Sequence, residues 1–409
     1  MSTPASVTVS GYRFVIYALL IAASLMLGIQ FVGPATLLPL IIDETGISHS
    51  AAGFYVSVMT LMVTILGFPA SIVGARMGVR RSFGIAWYLL GAAVVLPLLP
   101  GLEWIVASRL LQGVGAAALI PLQAAVLMAW APSREVPILF ALTEMAFTVG
   151  SGLALLLGPT FAAAIGWQGT LALEGGMALA GAVCWSLLAR DGAARRPTPR
   201  AAPSLDLVRV TLRSSTTWLL AFAVAGPWAL YNALTSWLPT FLTETRDFSE
   251  GGAAFAVSLI AFAGLPATFV GGLVAVRTGR RRPLLFVSGL GTGLTAAVAL
   301  LAPSGLLLYA TIAVTGFFLL VYLPGFFSIP LELSGASPER AATVSSVFTS
   351  VGNGTGFLSP VVIGVLRDAA GSFMPGFTIF VLGAATLFVA ALLIPETGPR
   401  GRPAATGGA

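Results

Sequence analysis

Very few side chains inside the apolar runs of this sequence can hold charge or hand on a proton. Arg109 stands in "ASRLLQGVGAAA". A guanidinium cannot escape a low-dielectric site by losing its proton. Arg109 therefore binds an anion, faces a carboxylate in a cavity, or is satisfied by backbone carbonyls. Glu144 and Glu174 also fall inside apolar runs. A carboxyl group at that depth can carry a proton, so both are proton-coupling candidates; the alternatives are a hydrogen-bonded structural acid for Glu144 and an end residue touching interfacial water for Glu174. Glu332, beside Pro330, reads as an interfacial or gate residue. His49 is the only histidine. It falls at a run boundary and reads as a solvated end residue, which argues against a histidine-based proton relay.

Polar and aromatic residues near helix-breaking prolines extend the candidate solute site. Gln30 and Thr36 flank "VGPA", where Pro34 frees a backbone carbonyl. Gln112 and Gln123 share a run with Arg109. Trp228, Tyr231, Asn232 and Trp237 follow the parallel break "GPW", and Tyr322 and Asn353 lie in later runs. For the aromatics, lipid-belt or packing roles compete with solute contact. The sequence holds no phosphate-cradling loop with a following lysine, no metal-ligand cluster and no nucleophile elbow. No cofactor, ATP-driven step or enzymatic reaction is expected.

Composition fixes what must position these residues. The 409-residue chain is 57% hydrophobic and only 9% charged, with mean hydropathy +0.95. A soluble chain carries about a quarter charged residues, so the solvent for most of this surface is lipid. Spans of ~20 apolar residues fall near 13–42, 51–73, 82–100, 104–130, 137–165 and 168–189, and again near 214–242, 252–275, 283–302, 305–333, 341–366 and 374–395. The sequence thus predicts an all-α membrane protein of twelve transmembrane helices. Its units are a six-helix bundle over 1–190, a linker over 191–212, a second bundle over 213–397 and a tail over 398–409.

The positive residues are all arginine. With the N-terminus placed in the cytoplasm, only Arg246 and Arg367 fall in outer loops, and Arg109 alone falls at membrane depth. The rest lie on the cytoplasmic side, which predicts a multi-pass inner-membrane protein with both termini inside. The basic balance is spread over short loops and does not point to nucleic acid. The expected partners are a small-molecule substrate, membrane lipids and protons, and the expected state is a monomer. The lone Cys184 permits no intrachain disulfide.

The chain also repeats itself. "VGARMGVRR" (Val73–Arg81) returns as "VAVRTGRRR" (Val274–Arg282). Ser57 and Ser258, Gly115 and Gly316, and Pro159 and Pro360 match at the same spacing. Two six-helix copies in parallel orientation place a site at the midplane between them and work by rocking.

With this duplication, the loop residues Arg76, Gly78, Arg80 and Arg81, their partners Arg277, Gly279, Arg280 and Arg281, the Arg109–Gly113–Gly115 spacing and the terminal "PETGP" make the chain resemble the major facilitator superfamily over essentially its whole length. The resemblance implies a secondary transporter working by alternating access, with the two loops as gating elements. The sequence departs from the family in two places. Ala75 and Val276 occupy the acidic position of the loop motif, so the usual cytoplasmic lock between halves is missing twice, or is replaced by Glu135, Glu332 or Glu339. Phe161, Ala162 and Ala163 stand where the antiporter motif after Gly158–Pro159 has glycines. "YNALTSWLPTFL" and "GWQG" resemble cyanate/nitroimidazole-type carriers, the former also anion:cation symporters. A small anionic or polar solute is expected. The alternatives are a multidrug or metabolite exporter and a non-transporting receptor or scaffold of the same fold.

Overall fold

A computed structural model describes residues 11–132, 135–190, 205–333 and 338–398. Arg134, the linker residues 191–204 and the tail from 399 onward, with the arginines they carry, lie outside the described residues.

The regular elements are all helical: α1 Arg13–Thr45, α2 His49–Met77, α3 Val79–Leu90, α4 Leu102–Trp130, α5 Val136–Leu188, α6 Leu205–Arg213, α7 Ser215–Arg246, α8 Glu250–Thr278, α9 Arg282–Leu301, α10 Leu306–Val321, α11 Leu323–Glu332, α12 Pro338–Ala370, α13 Met374–Gly383 and α14 Ala385–Leu393. Eleven described helical segments are long and apolar enough to cross a membrane. One of them, α5, has 53 residues. Straight, it would run to about 80 Å against a hydrocarbon core of about 30 Å. It folds back at Gly166, whose φ of 74° and ψ of 167° are non-helical, a conformation open mainly to glycine. Both arms return to α1: Glu135 pairs with Arg13 at 3.3 Å, and the Tyr12 hydroxyl donates to the Leu188 carbonyl at 2.5 Å. At the turn, Trp167 Nε1 donates to Glu44 at 2.7 Å. The eleven segments therefore make twelve crossings, as the sequence predicts.

The duplication is built into the helix ends. Ser48 caps α2 by accepting from the Ala51 N–H, and Ser249 caps α8 by accepting from the Gly252 N–H. Gly78 and Gly279 end α2 and α8 with φ of 92° and 58°. Arginines finish other ends by donating to carbonyls that have no helical partner. Arg246 reaches Leu300 O and Ala302 O at 2.6 and 2.5 Å, and Arg282 reaches Ala391 O at 3.0 Å.

The apolar packing is asymmetric along the bundle axis. At the end holding Arg13, Arg80 and Trp185, one core draws only on the first half: Ile16, Leu20, Phe83, Trp87, Leu127 and Trp185. A separate core there draws only on the second half: Leu220, Leu285, Phe326, Phe348 and Leu387. At the opposite end a single core joins both halves, with Leu37, Ile41, Tyr55 and Leu155 against Leu234, Trp237, Val257 and Phe377. The halves are sealed together at that end and separately packed at the arginine-rich end.

Candidate functional site

The seal is a close helix crossing backed by polar groups. Any side chain at Gly53 would strike the Pro360 carbonyl, and one at Gly364 would strike the His49 carbonyl. α2 and α12 thus touch backbone to backbone. Against this crossing, His49 sits between Glu244 and Asp368, 3.2 and 3.1 Å from its two ring nitrogens. It is not the solvated end residue that its position in the sequence predicts. Trp237, predicted as a solute contact, is fully buried here and donates its indole N–H to Pro360 O at 2.8 Å.

Arg109 lies inside the first half, only 2% exposed. Pro34 has no N–H, so the Gln30 carbonyl four residues earlier has no helical donor. Arg109 Nη1 takes that oxygen at 2.6 Å and the Gln112 side-chain oxygen at 3.0 Å; Nη2 takes Val56 O at 3.3 Å. The carbonyl that Pro34 frees therefore serves an arginine in this conformation. The guanidinium sits 5.9 Å above the Tyr55 ring. Arg109 Nε, Gln30 Oε1 and Tyr55 Oη remain buried without a partner. Glu174 completes the group. It is buried rather than at the interface, its carboxylate rests on Gly33, and its backbone carbonyl accepts from Gln30 Nε2 at 3.2 Å. α1 stays helical through Pro34, and Arg109, Gln30, Gln112 and Glu174 converge on the turn before that proline. Thr36 lies a turn away, donating to Gly33 O at 3.1 Å beside Gly158.

The remaining candidates lie apart from this group. Ser151 donates to Gly28 O at 3.2 Å, and Gly150 abuts Leu25 O, which fixes the α1-facing side of α5. Gly152 faces Phe262 of α8. At about 100° per residue, Glu144 projects between those two directions, toward the second half. It is exposed, and no partner of its carboxylate is found among the described residues. Gln123 is half-buried and donates to Ser24 at 2.6 Å. On α7, Trp228, Tyr231 and Asn232 are half-buried; Trp228 and Asn232 pack against Gly352 and Gly356 of α12, next to Asn353. Tyr322 is buried against Phe326 in the second-half core, at 5.8 Å between ring centroids, and does not join the others.

The loop residues divide. Arg76, Arg80, Arg81, Arg277 and Arg280 are exposed. Arg281 is buried, holding Glu332 through Nε at 3.1 Å and Nη2 at 2.5 Å. Glu396 of the "PETG" stretch accepts from the Arg281 and Arg282 backbone N–H groups at 2.7 and 3.2 Å, and Thr397 donates to Glu332 at 3.0 Å. Of the three carboxylates expected to substitute for the missing loop acid, Glu332 holds Arg281 within its own half and Glu135 holds Arg13 in the other. Among the described residues no carboxylate pairs with Arg76 or Arg277.

Comparison with known proteins agrees with this architecture. The chain is 24% identical over 394 residues to a probable sulfoacetate transporter of Cupriavidus necator, covering 88% of this chain and 89% of that one. It is 28% identical over 221 residues to a probable nitrate/nitrite transporter of Mycobacterium tuberculosis, covering 54% and 55%. A crystal structure of a bacterial homolog of the human lysosomal transporter Spinster, inward-facing and occupied, superposes with a TM-score of 0.73 at 18% identity, over 94% of this chain and 96% of that one. The family model described as Major Facilitator Superfamily matches residues 18–360. The chain is a membrane-embedded secondary transporter and belongs to the Major Facilitator Superfamily.

Proposed function

We propose that this transporter moves a small anion across the inner membrane by alternating access, with both termini in the cytoplasm and protons as the coupling ion. The observation that carries the reading is the asymmetry of the cores, joined at one end and separate at the arginine-rich end. A molecule sealed at one face and parted at the other is one state of a rocking cycle. The arginine-rich end is cytoplasmic by charge bias, so the state is inward-facing.

The anion preference rests on Arg109, the one cation at mid-depth among the described residues, set beside Pro34 of α1 with one nitrogen unpartnered. Its carbonyl partners hold it in this state and exchange for solute when α1 moves. The solutes named for similar carriers, sulfoacetate and nitrate/nitrite, are small anions. Glu144, exposed on α5, carries the coupling proton; Glu174 lies behind α1 as the countercharge of Arg109.

A thermal-shift screen of the purified protein against small carboxylates, sulfonates, inorganic anions and lipophilic cations tests this reading. Stabilisation by a small anion, reduced in Arg109→Lys, is expected. Stabilisation by lipophilic cations alone would replace it with the exporter reading.

A further inference from the structure

The sealed face contains a group that transport by Arg109 and Glu144 does not use. His49 opens α2, in the first half, and both its ring nitrogens meet carboxylates of the second half. Nε2 lies 3.2 Å from Glu244 Oε1 of α7, and Nδ1 lies 3.1 Å from Asp368 Oδ1 of α12. Asp368 also accepts the first backbone N–H groups of α2, from His49 at 3.0 Å and Ser50 at 2.9 Å. Arg367 of α12 donates to the other oxygen of Glu244 at 3.0 Å. Trp237 and Phe373 flank the ring at 5.7 and 5.6 Å. Glu244 and Asp368 are the charged groups in hydrogen-bonding distance of the ring, with Arg367 behind Glu244.

A neutral imidazole has one N–H and one lone pair. Placed here, it would donate to one carboxylate and turn its lone pair toward the other. An imidazolium donates to both. With it, two cations (His49 and Arg367) balance two anions (Glu244 and Asp368); without it, the set carries a net negative charge in a partly buried seam. The geometry therefore fits the protonated ring. Because the ring belongs to one half and its carboxylates to the other, these contacts exist only while this face is closed.

We propose that His49 is a proton-binding site whose occupancy closes this face of the transporter. In the closed state the protonated ring has a carboxylate acceptor at each nitrogen; in the open state it faces water away from both. By linkage, acid then drives closure and alkali releases it. One such site shifts the closed-to-open ratio by at most about tenfold per pH unit. The site lies on the face opposite the arginine-rich end and is separate from Glu144, so this proton is taken up as that face shuts, whatever the solute.

Spin-label distance measurements across the face test the proposal without any solute. Cys184→Ser removes the native thiol, and Glu103→Cys with Ala370→Cys places one label on each half at exposed positions. Between about pH 5.5 and pH 8, the window in which histidine titrates, the short-distance population should fall severalfold. His49→Gln should flatten that response, and His49→Arg should hold the short distance throughout. A distance distribution that does not change with pH in the His49 protein overturns the proposal, with no variant needed. So does a His49→Gln variant that keeps the same response.

Discussion

Arg109 donates to the carbonyl of Gln30 at 2.6 Å, and that oxygen is free because Pro34 has no N–H to offer it. A proline inside α1 and a buried charge on α4 thus satisfy one another. Arg109→Ala leaves the Gln30 and Val56 carbonyls and the Gln112 oxygen without their donor. We expect a loss of about 3 kcal/mol, with Arg109→Lys recovering part of it because an ammonium cannot span the same acceptors. Thermal unfolding in detergent, followed by size-exclusion fluorescence, reads both.

Gly33 seats the Glu174 carboxylate against α1. Gly33→Ala must push that carboxylate aside and should cost roughly 1–3 kcal/mol. In the Glu174→Ala background the same change should cost much less. Additive losses in this double-mutant cycle would show that the two do not touch.

Glu144 is exposed toward the second half, whereas Glu174 is enclosed. Glu144→Gln should abolish uptake driven by a pH gradient and leave solute exchange at equal pH intact. Gradient-driven uptake at the wild-type rate in reconstituted vesicles would remove Glu144 from the coupling path.

Arg281 and Arg277 differ although they sit in the same loop. Arg281 holds Glu332 in a partly buried pair; Arg277 is exposed and carries no such pair. Arg281→Gln should destabilise by about 2 kcal/mol, while Arg277→Gln should stay within about 0.5 kcal/mol. Equal effects would mean that the loop acts as one charged surface.

The sequence shows depth well and direction poorly. Apolar run length places twelve crossings, and the repeat of "VGARMGVRR" appears in the structure as Gly78 and Gly279 ending equivalent helices. Run length cannot say which side of a helix faces a partner when the helix is apolar all round, because no polar stripe marks a facing direction. For Trp237 and Tyr322 the sequence therefore left packing and solute contact both open, and only the structure shows them buried in packing. Gln30 was legible beside a proline break, but the occupant of the freed carbonyl was not. His49 was misread for a related reason. Its partners Glu244 and Asp368 lie far along the chain, in the other half, and only the α2–α12 crossing brings them together. The missing loop acid was legible. That the described ion pairs between the halves lie on the opposite face was not.

Counterflow in proteoliposomes tests the central claim most directly. Vesicles holding the purified protein and loaded with a small sulfonate, carboxylate or inorganic anion are diluted into the labelled anion without a pH gradient. The account predicts transient accumulation of label for at least one such anion, greatly reduced in Arg109→Ala protein reconstituted to the same folded amount. Accumulation of a lipophilic cation with none of the anions, or of an anion at an equal rate in Arg109→Ala, would contradict it.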